Sequence, residues 1–212
     1  MQASASTPSN RLSTALIETL AVFLIWVFFY RFNLFVFAYF EYNPRVYWLF
    51  LPAGIRMLAV FIFGWRGVAG LFVGSIYTNE AETDAYVVGL AAISALSPML
   101  ALYACRWVFN ISSTLKGLRA RQLLYFTLTG ALANSLFSQL YFYFMSTVES
   151  LHGLTPMFVG DVFGTLLVFY IIAKTLQLMT YTNKQTNKQT NKQTNKQTNK
   201  QTNKPAHKLL NQ

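Results

Sequence analysis

Residues 15–30 read ALIETLAVFLIWVFFY, an apolar run in which Glu18 is the single charged residue. A helix that crosses the hydrocarbon core of a bilayer needs about 20 mostly apolar residues, with a usual range of roughly 17–25. A second apolar stretch, 32–40, comes directly after it and either extends this helix or lies at the membrane interface. Because the run is long and aromatic and lacks a small-residue cleavage site, it predicts an uncleaved first membrane helix rather than a signal peptide.

The composition of the whole chain agrees with a bilayer as its solvent. Of 212 residues, 54% are hydrophobic and only 11% are charged, whereas soluble domains carry about a quarter charged residues. Such a chain cannot bury its apolar surface in one soluble core. We therefore predict an all-α, polytopic transmembrane helical bundle of about six spans with a disordered C-terminal tail. The predicted spans are 15–30, 46–63, 65–77, 86–109, 122–144 and 156–179.

The distribution of charge orients the predicted bundle. Lys and Arg concentrate in short loops on the cytoplasmic side. An inside N-terminus places the basic segment 106–121 inside and the acidic segment 80–84 outside, and only the first outer segment, with Arg31 and Arg45, disagrees. The third span is short enough for a re-entrant hairpin, but a hairpin there would reverse every later loop, so full crossing is preferred. The sequence thus predicts that both termini are cytoplasmic.

The domain organisation is set by a change in composition at Thr182. Residues 1–14 are predicted to form a cytoplasmic N-terminal segment, 15–181 the integral membrane domain and 182–212 a low-complexity tail. The tail repeats Thr-Asn-Lys-Gln five times, and its seven lysines account for +7 of the net charge of +10. Because this composition offers no apolar face for packing, the tail is predicted to be disordered and cytoplasmic. The membrane domain has no basic stripe, so nucleic-acid binding is not predicted.

The repeat also suggests how the gene is built. The codons ACA, AAC, AAA and CAA encode Thr, Asn, Lys and Gln, and joined together they are three copies of the tetranucleotide ACAA. A run of ACAA encodes this repeat in every reading frame. We hypothesise that 182–204 is translated from a DNA microsatellite, whose slippage changes the reading frame of the downstream gene sequence. On this hypothesis 205–212 replaces an output domain that lies in another frame; mixed codon usage across the repeat would exclude it.

Two ionisable residues within the predicted spans are the main site candidates. Charged groups at membrane depth are costly and usually functional; Arg56 lies in span 46–63, and Asp161 lies near the outer end of span 156–179. Each is the natural counter-ion of the other, so we predict an Arg56–Asp161 contact. Structural pairing and recognition of a ligand are the alternative roles for Arg56. In the fifth span, Asn134 and Gln139 either line a pocket or form interhelical hydrogen bonds.

Small residues indicate where the helices pack closely, because they let two backbones approach each other. Packing within the chain is preferred over dimerisation. The predicted packing glycines are Gly54, Gly67, Gly70, Gly74, Gly160 and Gly164.

The sequence offers no signature of catalysis. It contains no Gly-x-Ser-x-Gly elbow and no phosphate-binding Gly-Lys-Ser/Thr loop. It also lacks a His/Cys/carboxylate cluster with ligand spacing, and Cys105 is the only cysteine. No catalytic residue, metal site or cofactor is therefore predicted.

Three sequence motifs resemble those of a known family. They are WLFLPAGIR at 48–56, FGWRG with GLFVGS across 63–75, and GDVFG at 160–164. Over roughly residues 15–180 the chain resembles the bacterial MASE-type membrane-associated sensor domains. These share a Trp-x-Pro-Ala-Gly-like helix, a Phe-Gly turn and a Gly-x-x-x-Gly-like helix. Arg56 departs from the mostly apolar residue that the family has at this position.

The resemblance implies a sensory module of the bacterial inner membrane, of the kind that usually feeds a cytoplasmic histidine kinase or diguanylate cyclase domain. The implied partners are the lipid bilayer and a cytoplasmic signalling partner or downstream output domain, and the chain itself is predicted to be non-enzymatic. The alternative is a small-solute transporter subunit, in which Arg56, Asn134, Gln139 and Asp161 converge on a pocket near the midplane. A third alternative is a purely structural membrane partner protein.

Overall fold

The computed structural model describes residues 8–43, 45–79, 85–109, 120–145 and 151–202. The acidic segment 80–84, most of the basic segment 106–121 and the chain after Thr202 lie outside the described residues. The fold is about 91% helical, which confirms the all-α prediction. Its helices are α1 (Pro8–Phe37), α2 (Pro52–Phe63), α3 (Trp65–Thr78), α4 (Ala85–Phe109), α5 (Ala120–Phe144) and α6 (Leu154–Thr202), and single 3₁₀ turns cover Ala38–Phe40 and Leu151–Gly153.

Among the described residues, three helical segments are long and apolar enough to cross a membrane. They are Arg11–Phe40, Ala85–Phe109 and Leu151–Thr182. The shorter helix α2 is also apolar. The prediction of a membrane protein is therefore supported at the level of three candidate spans.

The second predicted span, 46–63, is only partly helical. Residues Glu41–Asn43 (β1) and Val46–Tyr47 (β2) form a small antiparallel hairpin, and the helix begins only at Pro52. Proline suits a helix start because its missing N–H is not needed in the first turn. Just before it, the Leu51 N–H is satisfied by the side-chain oxygen of Asn33 at 2.9 Å. Helix α2 therefore has twelve residues and rises only about 18 Å.

Helices α2 and α3 form a tight hairpin at Gly64, whose φ of 57° and ψ of −128° suit only glycine. After the turn, α3 runs parallel to α1 along the glycine stripe. A Cβ at Gly70 would lie 2.6 Å from the Thr19 carbonyl oxygen, and one at Gly74 would lie 2.6 Å from the Trp26 ring. The order of these contacts shows that both helices rise in the same direction.

The remaining predicted packing glycines also lie at close contacts. A Cβ on Gly67 would clash with the Ala59 carbonyl, and a Cβ on Gly54 would lie 2.7 Å from Val168. On α6, Gly160 and Gly164 press against the carbonyl groups of Tyr47 and Phe50. The glycines of α6 therefore hold the segment between β2 and α2 against this helix.

The C-terminal repeat differs from the sequence-based expectation. Disorder was expected from Thr182, whereas the structure continues α6 through the repeat to Thr202. The repeat contains neither glycine nor proline before Pro205, and extending an existing helix is far easier than nucleating one. The chain divides into two compact units, Met1–Phe169 and Tyr170–Gln212, and every residue of the candidate site belongs to the first.

Candidate ligand site at Arg56 and Asp161

The predicted contact between the two charged residues Arg56 and Asp161 is present. Arg56 Nη2 donates to Asp161 Oδ2 at 2.8 Å, which joins α2 to α6. Only 6% and 4% of the two side chains are exposed. A buried ion pair needs further hydrogen bonds to offset the loss of hydration, and its neighbours supply them.

Asn134 of α5 closes this ion pair into a three-residue ring. Its side-chain oxygen accepts from Arg56 Nη1 at 2.8 Å, and its Nδ2 donates to Asp161 Oδ2 at 2.7 Å. Only this orientation of the amide satisfies both neighbours. On α4, Ser94 Oγ accepts a further bond from Arg56 Nη1 at 3.1 Å. The polar centre thus joins four helices, and Ser94 is a member that sequence reasoning missed.

A cavity of about 80 Å³ lies against this polar centre. It reaches Arg45 in the turn of the hairpin and Asn79 at the end of α3, so it extends toward the end of the bundle where α3 ends and α4 begins. Its aromatic lining residues are Trp26, Tyr30, Tyr47, Phe50 and Phe142, and its polar ones include Ser75, Thr78, Ser94, Asn134 and Ser138.

Several of the lining side chains are fixed by their own contacts. The Trp26 indole donates to the Thr78 hydroxyl at 3.3 Å, and the Phe50 ring lies 5.6 Å from the Arg56 guanidinium carbon.

Gln139 is the one predicted pocket residue that the structure places elsewhere. It is buried on α5, but it packs against Gly153, and its Nε2 lies 4.0 Å from the Met157 sulfur. It does not line the cavity. Of the four residues expected to converge, the structure brings together Arg56, Asn134 and Asp161. Gln139 points instead toward the short turn that precedes α6.

A second ion pair, which sequence reasoning also missed, joins α1 to α3. Arg66 Nη1 lies 2.6 Å from Glu18 Oε2, with 46% and 26% of the two side chains exposed. The only available signal was Glu18 itself, the single charge in an otherwise apolar run. Because Arg66 follows the Gly64 turn directly, its ion pair with Glu18 fixes the point along α1 at which α3 begins.

No family model, curated protein or solved structure matches the chain. The fold and the site therefore define a class rather than a family: an all-α chain with three candidate membrane spans and a buried Arg–Asn–Asp centre beside a cavity.

Proposed function

We propose that the chain is a six-span sensor module of the bacterial inner membrane, related to the MASE-type domains, with both termini in the cytoplasm. Its signal is a small molecule bound in the cavity beside Arg56 and Asp161. The observation that carries this proposal is the buried polar centre, because ionisable groups at membrane depth are rare and mark functional sites.

The distribution of side chains on α5 supports its role as a span. Apolar residues Leu124, Leu128, Leu132 and Leu136 lie on an exposed stripe at a spacing of four, while Asn134 and its polar neighbours are buried. This arrangement is the reverse of a water-soluble helix, and it suits a helix surrounded by lipid. The buried polar residues explain why α5 is less apolar than the three candidate spans.

The register of α3 on α1 supports full crossing by the short helices. The Glu18–Arg66 pair places the α2–α3 turn beside Glu18. At the other end of α2, the Leu51 N–H bonds to Asn33, so the hairpin follows α1 from Glu18 to Asn33, a rise of about 22 Å. A hairpin that follows α1 over most of the roughly 30 Å of a hydrocarbon core fits two short spans better than a shallow re-entrant loop.

The continuity of α6 favours sensing. Asp161 lies on α6, which is one uninterrupted helix as far as Thr202. A ligand that alters the bonds of Asp161 therefore acts on the helix that leads to the cytoplasmic end in the proposed topology. A sensor module needs an element with two conformational states, and the ligand shifts the equilibrium between them.

A fusion protein tests this coupling. With a diguanylate cyclase domain joined after Thr182, we expect the cavity-filling substitution Ser138→Trp to change cyclic dinucleotide output by about fivefold or more, the lower range of measured couplings. Leu132→Trp, on the exposed stripe of the same helix, is the matched control and should leave output unchanged. A flexible Gly-Ser insertion after Met179 should abolish the effect of Ser138→Trp. Equal output from all variants would contradict the sensing proposal.

The alternative function is a small-solute transporter subunit. The convergence of Arg56, Asn134 and Asp161 on one cavity also suits a substrate site. Transport requires that this cavity open to each side of the membrane in turn. Sensing requires access from one side only, so access to the cavity distinguishes the two functions.

A further inference from the structure

We propose that the ligand of this cavity is a small organic carboxylate, held by the unoccupied edge of the Arg56 guanidinium and by the Ser75 hydroxyl. This assignment rests on the proposed function for the existence of a ligand, and it adds the chemical class. Four observations lead to it: the hydrogen bonds of Arg56, the environment of Ser75, the charge of the lining and the size of the cavity.

The guanidinium of Arg56 has hydrogen-bond donors that are not used within the protein. It carries five N–H groups, and its bonds to Ser94, Asn134 and Asp161 use three of them. Among the described residues, no acceptor is bonded to its Nε–H or to the second N–H of Nη2. The Asn134–Asp161 hydrogen bond holds those two acceptors side by side at the Nη1/Nη2 end. The remaining edge, Nε with Nη2, is the fork that matches the two oxygens of a carboxylate.

Ser75 provides an independent sign of a missing partner. Its side chain lines the same cavity on α3 and is only 3% exposed. Its Oγ has no hydrogen-bond partner in the described part of the chain. Buried hydroxyl groups are nearly always paired, and an unpaired one calls for an explanation. A ligand oxygen in the cavity would accept a hydrogen bond from this hydroxyl.

The charge of the lining favours an anion. The charged side chains that line the cavity are Arg45, Arg56 and Asp161, which give the lining one positive charge in excess. The Glu41 carboxylate accepts from the Arg45 N–H at 3.3 Å, but it is exposed to solvent and is not part of the lining. Asp161 Oδ2 already accepts bonds from Arg56 and Asn134. A ligand with one negative charge therefore neutralises the cavity, whereas a cation would meet the excess positive charge in a region of low dielectric constant.

The volume limits the ligand to a short molecule. A cavity needs a volume of roughly 10–15 Å³, measured in the same way, to hold one water molecule. The volume of about 80 Å³ therefore holds about five to eight non-hydrogen atoms. Aromatic side chains such as Trp26 and Phe142 suit a short apolar chain on the carboxylate. Propionate has the required charge and size, and propionamide is its uncharged counterpart of the same shape.

The test uses the full chain purified in detergent, with thermal unfolding followed at matched ionic strength. We expect propionate to raise the unfolding temperature saturably and propionamide to leave it unchanged. Ser75→Ala should weaken the apparent affinity for propionate roughly tenfold, because it removes a hydrogen bond to a charged group. The matched control is Thr127→Val, which removes another buried, unpartnered hydroxyl that does not line the cavity. It should bind propionate like the wild type.

Three results would overturn the assignment. They are no saturable shift with propionate up to about 0.1 M, an equal shift with propionamide, or undiminished affinity in Ser75→Ala. The fusion experiment involves no added ligand, so the two proposals fail separately. A responsive fusion without propionate binding leaves sensing in place and rejects this ligand class. Propionate binding with a silent fusion retains the site and rejects sensing.

Discussion

Replacement of either member of the Arg56–Asp161 pair is expected to destabilise the protein more than replacement of both. Arg56→Met leaves the Asp161 carboxylate buried and without its counter-ion, and Asp161→Val does the same to the Arg56 guanidinium. Removing one partner of a buried ion pair costs about 3–5 kcal/mol of the free energy of unfolding. The double variant leaves no unpaired charge, so its loss should be smaller than that of either single variant.

Asn134 determines how much of the stability lost in the single variants the double variant regains. Once both partners are replaced, its side-chain amide loses two hydrogen bonds, which leaves a residual cost of about 1–3 kcal/mol. Reversible unfolding in mixed micelles measures all three free energies. The matched control is Arg66→Met, since the side chains of the Glu18–Arg66 pair are partly exposed, at 26% and 46%; its loss should stay within about 1 kcal/mol. Additive effects of the two single substitutions would contradict the pairing.

Gly164→Ala is expected to have the second large effect. The added Cβ would collide with the Phe50 carbonyl oxygen, which is backbone and cannot rotate away. One helical turn earlier, the Phe50 N–H donates to the Gly160 carbonyl at 3.1 Å. The substitution must therefore push the start of α2 away from α6, break this bond and displace a cavity residue.

We expect Gly164→Ala to lower the free energy of unfolding by at least about 3 kcal/mol, at the upper end of overpacking effects, because backbone has to move. Leu166→Ala, at an exposed position two residues further along the same helix, is the control and should change it by less than about 0.5 kcal/mol. Unfolding in mixed micelles measures both variants. Normal stability in Gly164→Ala would show that α6 does not pack against the Phe50 backbone.

The helices were largely predictable because apolar runs set their limits. Helices α2, α4 and α5 end at Phe63, Phe109 and Phe144, where the predicted apolar runs end. The hairpin strand Val46–Tyr47 was missed because its residues are as apolar as those of a membrane helix. Only Pro52 marks the point where the helix begins. The helix in the repeat was missed because composition predicts the behaviour of an isolated segment. It does not take account of the preceding helix, which the repeat extends.

The ion pair was predictable for a physical reason, and its surroundings were not. A charge at membrane depth needs a counter-ion, and Asp161 was the natural counter-ion for Arg56. Which polar groups of α4 and α5 reach that pair depends on the rotation and height of both helices. Ser94 therefore gave no sign in the sequence, and Ser75 appeared only as part of a glycine-rich motif.

In the proposed topology the end of the bundle where α3 ends and α4 begins faces outward, so the sensing proposal requires that the cavity beside Arg56 open to the outer side only. The most direct test of this central claim places a cysteine at Ser138, which lines the cavity, in a Cys105→Ala background, with Thr182→Cys as the cytoplasmic control. A negatively charged, membrane-impermeant thiol reagent is applied to intact cells and to inside-out vesicles. We predict that Ser138→Cys is labelled only in cells and Thr182→Cys only in vesicles. Labelling of Ser138→Cys in vesicles would contradict the claim: labelling from both sides would indicate a transporter, and labelling from the inside alone would reverse the topology.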